Sequence, residues 1–217
     1  MATIAAAAGR SAMRKTGFAA FSAAVLCGNA FGAGGPLGID HRVNMNTSGI
    51  WSRSAQTTVL GFAVTADVAA ALWEGGESRL GRTLWQSIDS TVLATAAADA
   101  GKLVFRRERP TETSDPNKWF QHGNHFSFPS GEVSAITGLV TPFVIEYGRD
   151  HPAVYALELL PLYSAIGRVR ARAHWQTDVL AGWAVGTASG YYAHTLDSPF
   201  ILGVLPHGVS LGYRKSW

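Results

Sequence analysis

The sequence predicts a mostly α-helical domain, and three observations support this prediction. Apolar residues recur at near-helical spacing, most clearly at Leu80, Leu84 and Ile88. Alanine-rich stretches such as residues 94–100 favour the propagation of a helix. No convincing alternation of apolar and polar residues, which would indicate a half-buried strand, precedes residue 201. The pattern therefore indicates an all-α helical bundle.

Turn and loop signals divide the chain into an arm, five helices and a tail. Residues 33–50 are rich in glycine and asparagine and are expected to be irregular. A Glu-Gly-Gly-Glu-Ser turn separates the first two helices, and Pro110 ends the second. The tail, residues 201–217, is expected to form one short extended segment. The predicted helices are Ser52–Trp73, Arg79–Phe105, Glu132–Tyr147, Pro152 to about Ile166 and Trp175 to about His194.

The longest predicted loop covers residues 110–129. It is polar and aromatic and contains few helix signals. Loops of this length in compact domains are usually functional or disordered. Aromatic residues such as Trp119 and Phe126 argue against disorder, so the loop is a candidate for part of a functional site.

The first 32 residues predict a secretory signal peptide. A basic stretch that ends at Lys15 precedes an apolar run over residues 18–26, and small residues follow. Cleavage is expected near Gly32 or Ala33. The run is too short for a comfortable membrane span. We therefore expect a secreted or periplasmic domain that covers residues 33–217.

Removal of the leader makes the protein electrically neutral. The chain has 18 Lys and Arg against 15 Asp and Glu, and three of the bases but none of the acids precede residue 33, so 18 − 3 = 15 bases face 15 acids. The basic character therefore belongs to the leader, and a nucleic-acid partner is not expected. Seven of the fifteen bases lie within residues 102–109 and 168–172. Such clustering favours a small-anion site. The sole cysteine, Cys27, lies in the leader, so no disulfide is expected.

Apolar content alone does not indicate a membrane protein. The longest uncharged run, residues 179–196, is diluted by glycine, serine and threonine, whereas a span needs about 20 predominantly apolar residues. Asp67, Glu146 and Glu158 interrupt or bound the other apolar segments. We expect buried helices of a soluble bundle, with contact to a membrane surface as an open possibility.

A histidine and an aspartate stand one helical turn apart, at His174 and Asp178. If a helix begins near His174, the two side chains share a face. The carboxylate then holds one imidazole nitrogen and leaves the other free as a nucleophile or base. Alternate arginines precede this pair, and at least one of them should meet an anion. An ordinary surface pair has the same spacing, so both interpretations stay open.

Two further windows have chemical potential. Lys102 and Arg109 share a helix face, although a basic helix C-terminus favoured by the macrodipole explains them equally well. Ser130 and Gly131 open a predicted helix, where free backbone N–H groups form an anion cradle. The alternative is a simple N-cap, with Glu132 in the first turn complementing the dipole.

Taken in order, the three windows resemble the motifs of the type 2 phosphatidic acid phosphatase superfamily. This superfamily includes class A acid phosphatases, lipid phosphate phosphatases and vanadium haloperoxidases. Its first motif, Lys, six residues, Arg-Pro, matches Lys102, Arg109 and Pro110. Its second motif, Pro-Ser-Gly-His, matches Pro129, Ser130 and Gly131, but this chain has Glu132 in place of the histidine. Its third motif is Ser-Arg followed after five residues by His and after three more by Asp. It matches Arg168, His174 and Asp178, and this chain has Gly167 in place of the serine.

The resemblance implies the all-α bundle of that superfamily and a mechanism without metal or cofactor. His174 is expected to attack phosphorus and form a phosphohistidine, with Asp178 fixing its tautomer. Electrostatic stabilisation of the phosphoryl oxygens is then the largest catalytic contribution. The residues expected to bind those oxygens are Lys102, Arg109, Ser130, Gly131 and Arg168.

Glu132 is the departure that bears most on mechanism, because the superfamily histidine at this position protonates the leaving group. We hypothesise that Glu132, or one of His122 and His125 in the preceding loop, serves as the acid. The two histidines are explained more simply as loop residues. They are not expected to bind a metal, since no third ligand is evident.

The expected function is metal-independent hydrolysis of phosphate monoesters outside the cytoplasm, on small or lipid phosphates. One alternative is a membrane-associated envelope phosphatase for lipid phosphates or pyrophosphates. Another is a phosphate- or vanadate-binding protein with little turnover, because Glu132 has disabled leaving-group protonation. The sequence does not predict an oligomeric state.

Overall fold

The computed structural model describes residues 34–196, and the predicted leader and tail lie outside this range. The described part contains five α-helices and no strand, apart from a single bridge between Gly34 and Asp40. Short 3₁₀ helices occupy Gly49–Trp51 and Pro152–Glu158. The predicted all-α class is confirmed. The helices are α1 (Arg53–Glu74), α2 (Arg79–Phe105), α3 (Gly131–Tyr147), α4 (Leu159–Arg170) and α5 (Gln176–His194).

The predicted start of the fourth helix was wrong. The helix was expected from Pro152 to about Ile166, whereas residues 152–158 form a 3₁₀ helix and α4 runs from Leu159 to Arg170. Pro161 accounts for the later start, since proline fits the first turn of an α-helix, where its missing N–H is not needed. The later end of α4 places Arg168 in its last turn.

Local caps set the direction of the first two helices. The Ser52 side chain accepts a hydrogen bond from the Ala55 N–H at the start of α1, and Ser78 accepts one from Gly81 at the start of α2. Gly75 ends α1 with φ of 75°, which a residue with a side chain rarely adopts. The chain then reverses, and α1 and α2 form a helical hairpin.

Helices α3 and α5 pack so closely that α5 carries glycine at every fourth position of the contact. A Cβ atom on Gly186 would lie 2.5 Å from the Ser134 carbonyl oxygen, and one on Gly190 would lie 2.4 Å from the Thr141 side chain. The small-residue face of α5 therefore lets the two backbones approach. This contact fixes the start of α5 beside the start of α3.

Helix α1 corrects the expectation that all helices are buried. Its buried residues are Gln56, Asp67 and Ala71, while Phe62 is exposed and Trp73 is 88% exposed. Within the described range, α1 is also the one helix whose length and apolar composition would allow it to cross a membrane. The physical reason for the error is that apolar composition does not reveal what covers a helix. Among residues 34–196, α1 packs mainly on α2, and its outer face stays exposed.

Asp67 is the buried acid that joins three helices. The Ser87 hydroxyl of α2 lies 3.0 Å from an Asp67 carboxyl oxygen and 2.9 Å from the Leu139 carbonyl oxygen of α3. A hydroxyl has one hydrogen, so both contacts are hydrogen bonds only when Asp67 is protonated and donates to Ser87. Burial raises the pKa of Asp67 to about 7, against the lowering effect of Ser87.

Asp67 should therefore make the fold less stable as pH rises. The pKa of Asp67 in the folded state lies above its unfolded value. The stability that neutral Asp67 contributes is therefore fully present below about pH 4 and is lost as pH approaches 7. Asp67→Asn should remove this slope and raise the free energy of unfolding at pH 8 by on the order of 3 kcal/mol. Urea unfolding at pH 5 and pH 8 measures the pH dependence and the free energy of unfolding at pH 8. Glu77→Gln, at an exposed carboxylate, is the matched control; an equal response of the two variants would refute the assignment.

Candidate active site

The helix order brings five helix ends to one end of the bundle. These are the starts of α1, α3 and α5 and the ends of α2 and α4. Lys102 lies in the last turn of α2, Ser130 caps α3, and Arg168 lies in the last turn of α4. His174 occupies the short turn between α4 and α5. The three sequence windows thus meet in space.

His174 is buried and held by a backbone carbonyl. Its side chain Nδ1 lies 2.7 Å from the Ser127 carbonyl oxygen, which only accepts, so Nδ1 carries the hydrogen. The Nε2 atom keeps its lone pair. The distance from Nδ1 to the Asp178 carboxylate is 3.8 Å, which is an ion-pair distance rather than a hydrogen bond. The tautomer is therefore fixed by Ser127, whereas the sequence had suggested Asp178.

The charge state of the ring follows from its surroundings. Burial lowers the pKa of His174 below its usual value, and Asp178 opposes this effect. The positive charges of Arg168 and Arg109 lower the pKa further. The ring is therefore neutral near pH 7, as a nitrogen nucleophile requires.

Asp178 stays ionised although it is fully buried. It accepts hydrogen bonds from the Arg107 guanidinium, the Ser127 hydroxyl and the Trp175 N–H. Burial raises the pKa of Asp178, but the neighbouring His174 and Arg107 outweigh it and keep the pKa below its usual value. The carboxylate thus supplies a fixed negative charge under the His174 ring.

Arg107 is a site residue that the motifs did not single out. Its side chain is fully buried and bridges Asp178 to Asp40, which is also fully buried. The guanidinium lies 4.2 Å from the Trp119 ring centre, so the predicted loop supplies one wall of its pocket. One cation therefore holds two buried carboxylates.

Asp40 connects the N-terminal arm to the same network. Its two carboxylate oxygens accept from the Thr177 N–H at 2.8 Å and from the Thr177 hydroxyl at 2.7 Å. Nearby, Arg172 donates to the Val43 carbonyl oxygen at 2.8 Å. Residues 34–48 are therefore a strap across the start of α5. A lone acid in a glycine-rich arm gave no sequence signal for this role.

Glu132 is an ion-pair acceptor in this structure. One carboxylate oxygen accepts from the Arg53 guanidinium and lies 4.0 Å from Arg168, and the other accepts from the Ser164 hydroxyl at 3.2 Å. Its side chain is 10% exposed. Both oxygens of the Glu132 carboxyl group are therefore engaged as acceptors in these contacts. These contacts argue against the hypothesis that Glu132 serves as the acid.

Gly167, the second departure from the motifs, also lies against the first turn of α1. A Cβ atom on Gly167 would lie 2.8 Å from the Gln56 side chain, which is buried at this position. The Gln56 amide donates to the Trp51 carbonyl oxygen at 2.8 Å. Glycine therefore makes room for Gln56 where the superfamily motif has serine.

Lys102 and Arg109 border the pocket from the α2 side. The Lys102 ammonium bonds to Asp99 at 2.8 Å and lies 2.6 Å from where a Cβ on Gly131 would stand. Gly131 therefore allows the ammonium to reach the start of α3. Arg109 donates to the Phe126 carbonyl oxygen at 3.3 Å and acts on both His174 and Arg168 electrostatically. Three cations thus surround the start of α3.

Two buried polar atoms at the centre of this cluster have no hydrogen-bond partner among residues 34–196. They are the Ser130 hydroxyl and the Arg168 Nε. Burying such groups unpaired costs about 1–3 kcal/mol each, and unpaired groups in native structures are rare. A hydroxyl and a guanidinium N–H both donate to an anion. The arrangement therefore places two unpartnered donors, as an anion site requires, near a neutral histidine.

The two loop histidines take no part in this cluster. His125 Nδ1 lies 3.3 Å from the Glu112 carboxylate, which also accepts from the Arg109 N–H. His122 is exposed. In the described part of the chain, no group of three His, Cys, Asp or Glu side chains has an arrangement suited to a metal ion.

Comparison with known proteins assigns the family. The family model of the PAP2 superfamily matches residues 83–200, more than half of the 217-residue chain. The chain belongs to the PAP2 superfamily, as the motifs indicated.

The chain is also similar to a lipid phosphatase and, more weakly, to a solved structure. A lipid A 1-phosphatase of Porphyromonas gingivalis is 28% identical over 146 residues, which cover 67% of this chain and 28% of that protein. The chain thus spans less than a third of the length of this relative. A crystal structure of Aquifex aeolicus LpxE matches 69% of this chain and 98% of its own, with 16% identity and a TM-score of 0.41.

The Asp40–Arg107 contact should be essential to the fold at the site. Asparagine offers one acceptor oxygen where Asp40 offers two, so Asp40→Asn should leave the buried Arg107 guanidinium or the Thr177 N–H without its acceptor and lower the free energy of unfolding by about 3 kcal/mol. Asp150→Asn breaks an exposed pair with Arg79 and should cost less than about 1 kcal/mol. Unfolding in guanidinium chloride measures the loss of stability in each of the two variants. Equal losses in the two variants would show that the buried network stabilises the fold no more than an exposed ion pair does.

Proposed function

We propose that this protein is a phosphatase that hydrolyses terminal phosphoryl groups, as in phosphate monoesters, through a phosphohistidine at His174. The observation that carries the proposal is the pair of unpartnered donors, Ser130 Oγ and Arg168 Nε, buried beside the neutral ring. A tetrahedral phosphoryl group offers both of them an acceptor oxygen. Membership of the PAP2 superfamily supports the same chemistry.

The chemistry has two steps. His174 Nε2 attacks phosphorus as the bond to the leaving oxygen breaks, and the leaving group takes that electron pair. Water then attacks the phosphohistidine, the N–P bond breaks, and its electrons return to Nε2. The water proton passes to solvent or to the released phosphate. Asp178 lies 3.8 Å from Nδ1 and stabilises the positive charge that the ring gains in the first step.

The phosphoryl oxygens are bound by fixed donors rather than by a metal in this proposal. Lys102, Arg109 and Arg168 neutralise their charge, and the N–H of Gly131, the first residue of α3, donates to the same oxygens in this proposal. Donors that are already positioned for the transition state need no reorganisation during the reaction. Such stabilisation typically lowers a barrier by about 3–4 kcal/mol for each donor.

We further propose a phosphorylated lipid as the substrate. Exposed apolar side chains lie at the helix ends that carry the site, namely Leu103 and Val104 beside Lys102, Ile50 before α1, and Phe120 in the loop. Acyl chains or a membrane surface would cover them. The lipid A 1-phosphatase relative supports this class. The predicted leader would export the protein to the cell envelope, where such lipids are accessible.

A purified-protein assay tests the proposal. The wild type should hydrolyse p-nitrophenyl phosphate, and His174→Ala should abolish turnover because it removes the proposed nucleophile. Ser130→Ala should lower kcat/KM by about 10²-fold, as expected for loss of one donor. A long-chain lipid phosphate in micelles should be hydrolysed with higher kcat/KM than its short-chain analogue.

The control is Ser54→Ala, at an exposed hydroxyl outside the pocket, which should keep full activity. Turnover that survives in His174→Ala would exclude the phosphohistidine mechanism. Phosphate or vanadate binding without turnover of any ester would favour a binding protein, the alternative that the occupied Glu132 carboxylate suggests. A preference for the short-chain substrate would exclude the lipid.

A further inference from the structure

Glu132 connects α4 to the start of α3. One of its carboxylate oxygens accepts from the Ser164 hydroxyl at 3.2 Å, and the other lies 4.0 Å from Nη1 of Arg168. Ser164 and Arg168 are four residues apart on α4, so they share one face of that helix. Glu132 itself lies in the first turn of α3, two residues after Ser130. A single side chain therefore relates the positions of two unpartnered donors, Ser130 Oγ and Arg168 Nε.

The contact with Glu132 leaves one edge of the Arg168 guanidinium free. In an arginine side chain the Nε–H shares a hydrogen-bonding edge with Nη2, whereas Nη1 faces away from that edge. Glu132 approaches Nη1, and at 4.0 Å the contact is an ion pair rather than a hydrogen bond. Nε is buried and has no hydrogen-bond partner among residues 34–196. The edge that contains Nε can therefore donate to a phosphoryl oxygen while Glu132 holds Nη1.

Charge explains why Arg168 requires an anion at this place. Burial lowers the pKa of the Arg168 guanidinium, and Glu132 opposes this effect. The charges of Arg53 and Arg109 lower the pKa of Arg168 further. Glu132 thus supplies the negative charge that offsets the repulsion among these cations before a substrate is bound. A neutral histidine, the residue of the superfamily motif at this position, would supply none.

Arg168 is connected to the nucleophile as well as to the phosphoryl site. Its carbonyl oxygen accepts from the Ala173 N–H at 3.0 Å, and Ala173 directly precedes His174. The charge of Arg168 also acts on the buried His174 ring. A displacement of the end of α4 would therefore move both the donor and the turn that carries the ring.

We infer that Glu132 is a positioning residue, which holds Arg168 so that its Nε–H meets the transferred phosphoryl group, and is not the acid that protonates the leaving group. The inference rests on the proposed phosphatase function. Because the phosphoryl group is common to all phosphate monoesters, Glu132 should affect the hydrolysis of each of them to the same extent. A proton donor, in contrast, matters most for a poor leaving group such as an alkoxide.

The test measures kcat/KM for p-nitrophenyl phosphate and for an alkyl phosphate, whose leaving groups differ widely in basicity. Glu132→Gln keeps the shape of the side chain but not its charge. It should lower both values by the same factor, at least about ten-fold, since a small displacement of a binding group is costly. The alkaline side of the pH profile should be the same as in the wild type, because the loss of an acid would change it.

A double-mutant cycle tests whether Glu132 acts through Arg168. Arg168→Lys keeps a positive charge but has no guanidinium to orient. In that background, Glu132→Gln should change kcat/KM by less than about two-fold, because the two side chains act as a unit.

Ser164→Ala is a second, milder variant, which removes the other contact of Glu132. It should cause a smaller loss, again equal for the two esters, and it keeps the inference testable if Glu132→Gln does not fold. The control is Glu146→Gln, which removes a carboxylate that pairs with Arg79 at the other end of α2. This variant should leave kcat/KM unchanged.

A loss that is large for the alkyl phosphate and absent for p-nitrophenyl phosphate would overturn the inference, because that is the response of an acid. No loss for either ester, or an undiminished loss in the Arg168→Lys background, would overturn it as well. The phosphatase proposal fails separately, since its failure appears as p-nitrophenyl phosphate hydrolysis that is absent or independent of His174.

Discussion

One buried cation holds the site together. Arg107 lies between Asp40 and Asp178 with no solvent contact, where its single charge offsets one of the two carboxylate charges and its N–H groups donate to both. The three residues come from the arm, the segment after α2 and the start of α5. Their contact therefore closes the chain around the turn that carries His174. The ionised state of Asp178 depends on this arrangement, and so does the position of Ser127, which bonds to Asp178 and holds the ring of His174.

A second set of contacts distinguishes this chain from the motif pattern of its superfamily. The motif histidine is replaced by Glu132 and the motif serine by Gly167, and both replacements contact the first turn of α1. Arg53 and Gln56 supply the partners. A carboxylate and a glycine at these positions are therefore parts of one local arrangement at the start of α1.

The sequence predicted much of this structure where the information was local. Helix existence followed from apolar spacing, and the motif spacing named the residues from Lys102 to Asp178 that the fold brings together. What it missed depends on contacts between distant segments: Asp40 meets Thr177 across 137 positions, and Arg53 meets Glu132 across 79. The exposure of α1 was missed because burial and membrane contact select the same apolar residues.

The most direct test of the account is a crystal structure of the protein with orthovanadate, an analogue of the phosphoryl group in transfer. Vanadium should be bonded to Nε2 of His174, with Ser130 Oγ and Arg168 Nε each donating to an equatorial oxygen and with the contacts of Asp178 unchanged. Vanadate bound away from His174, or within the pocket while Ser130 and Arg168 stay unpartnered, would contradict it.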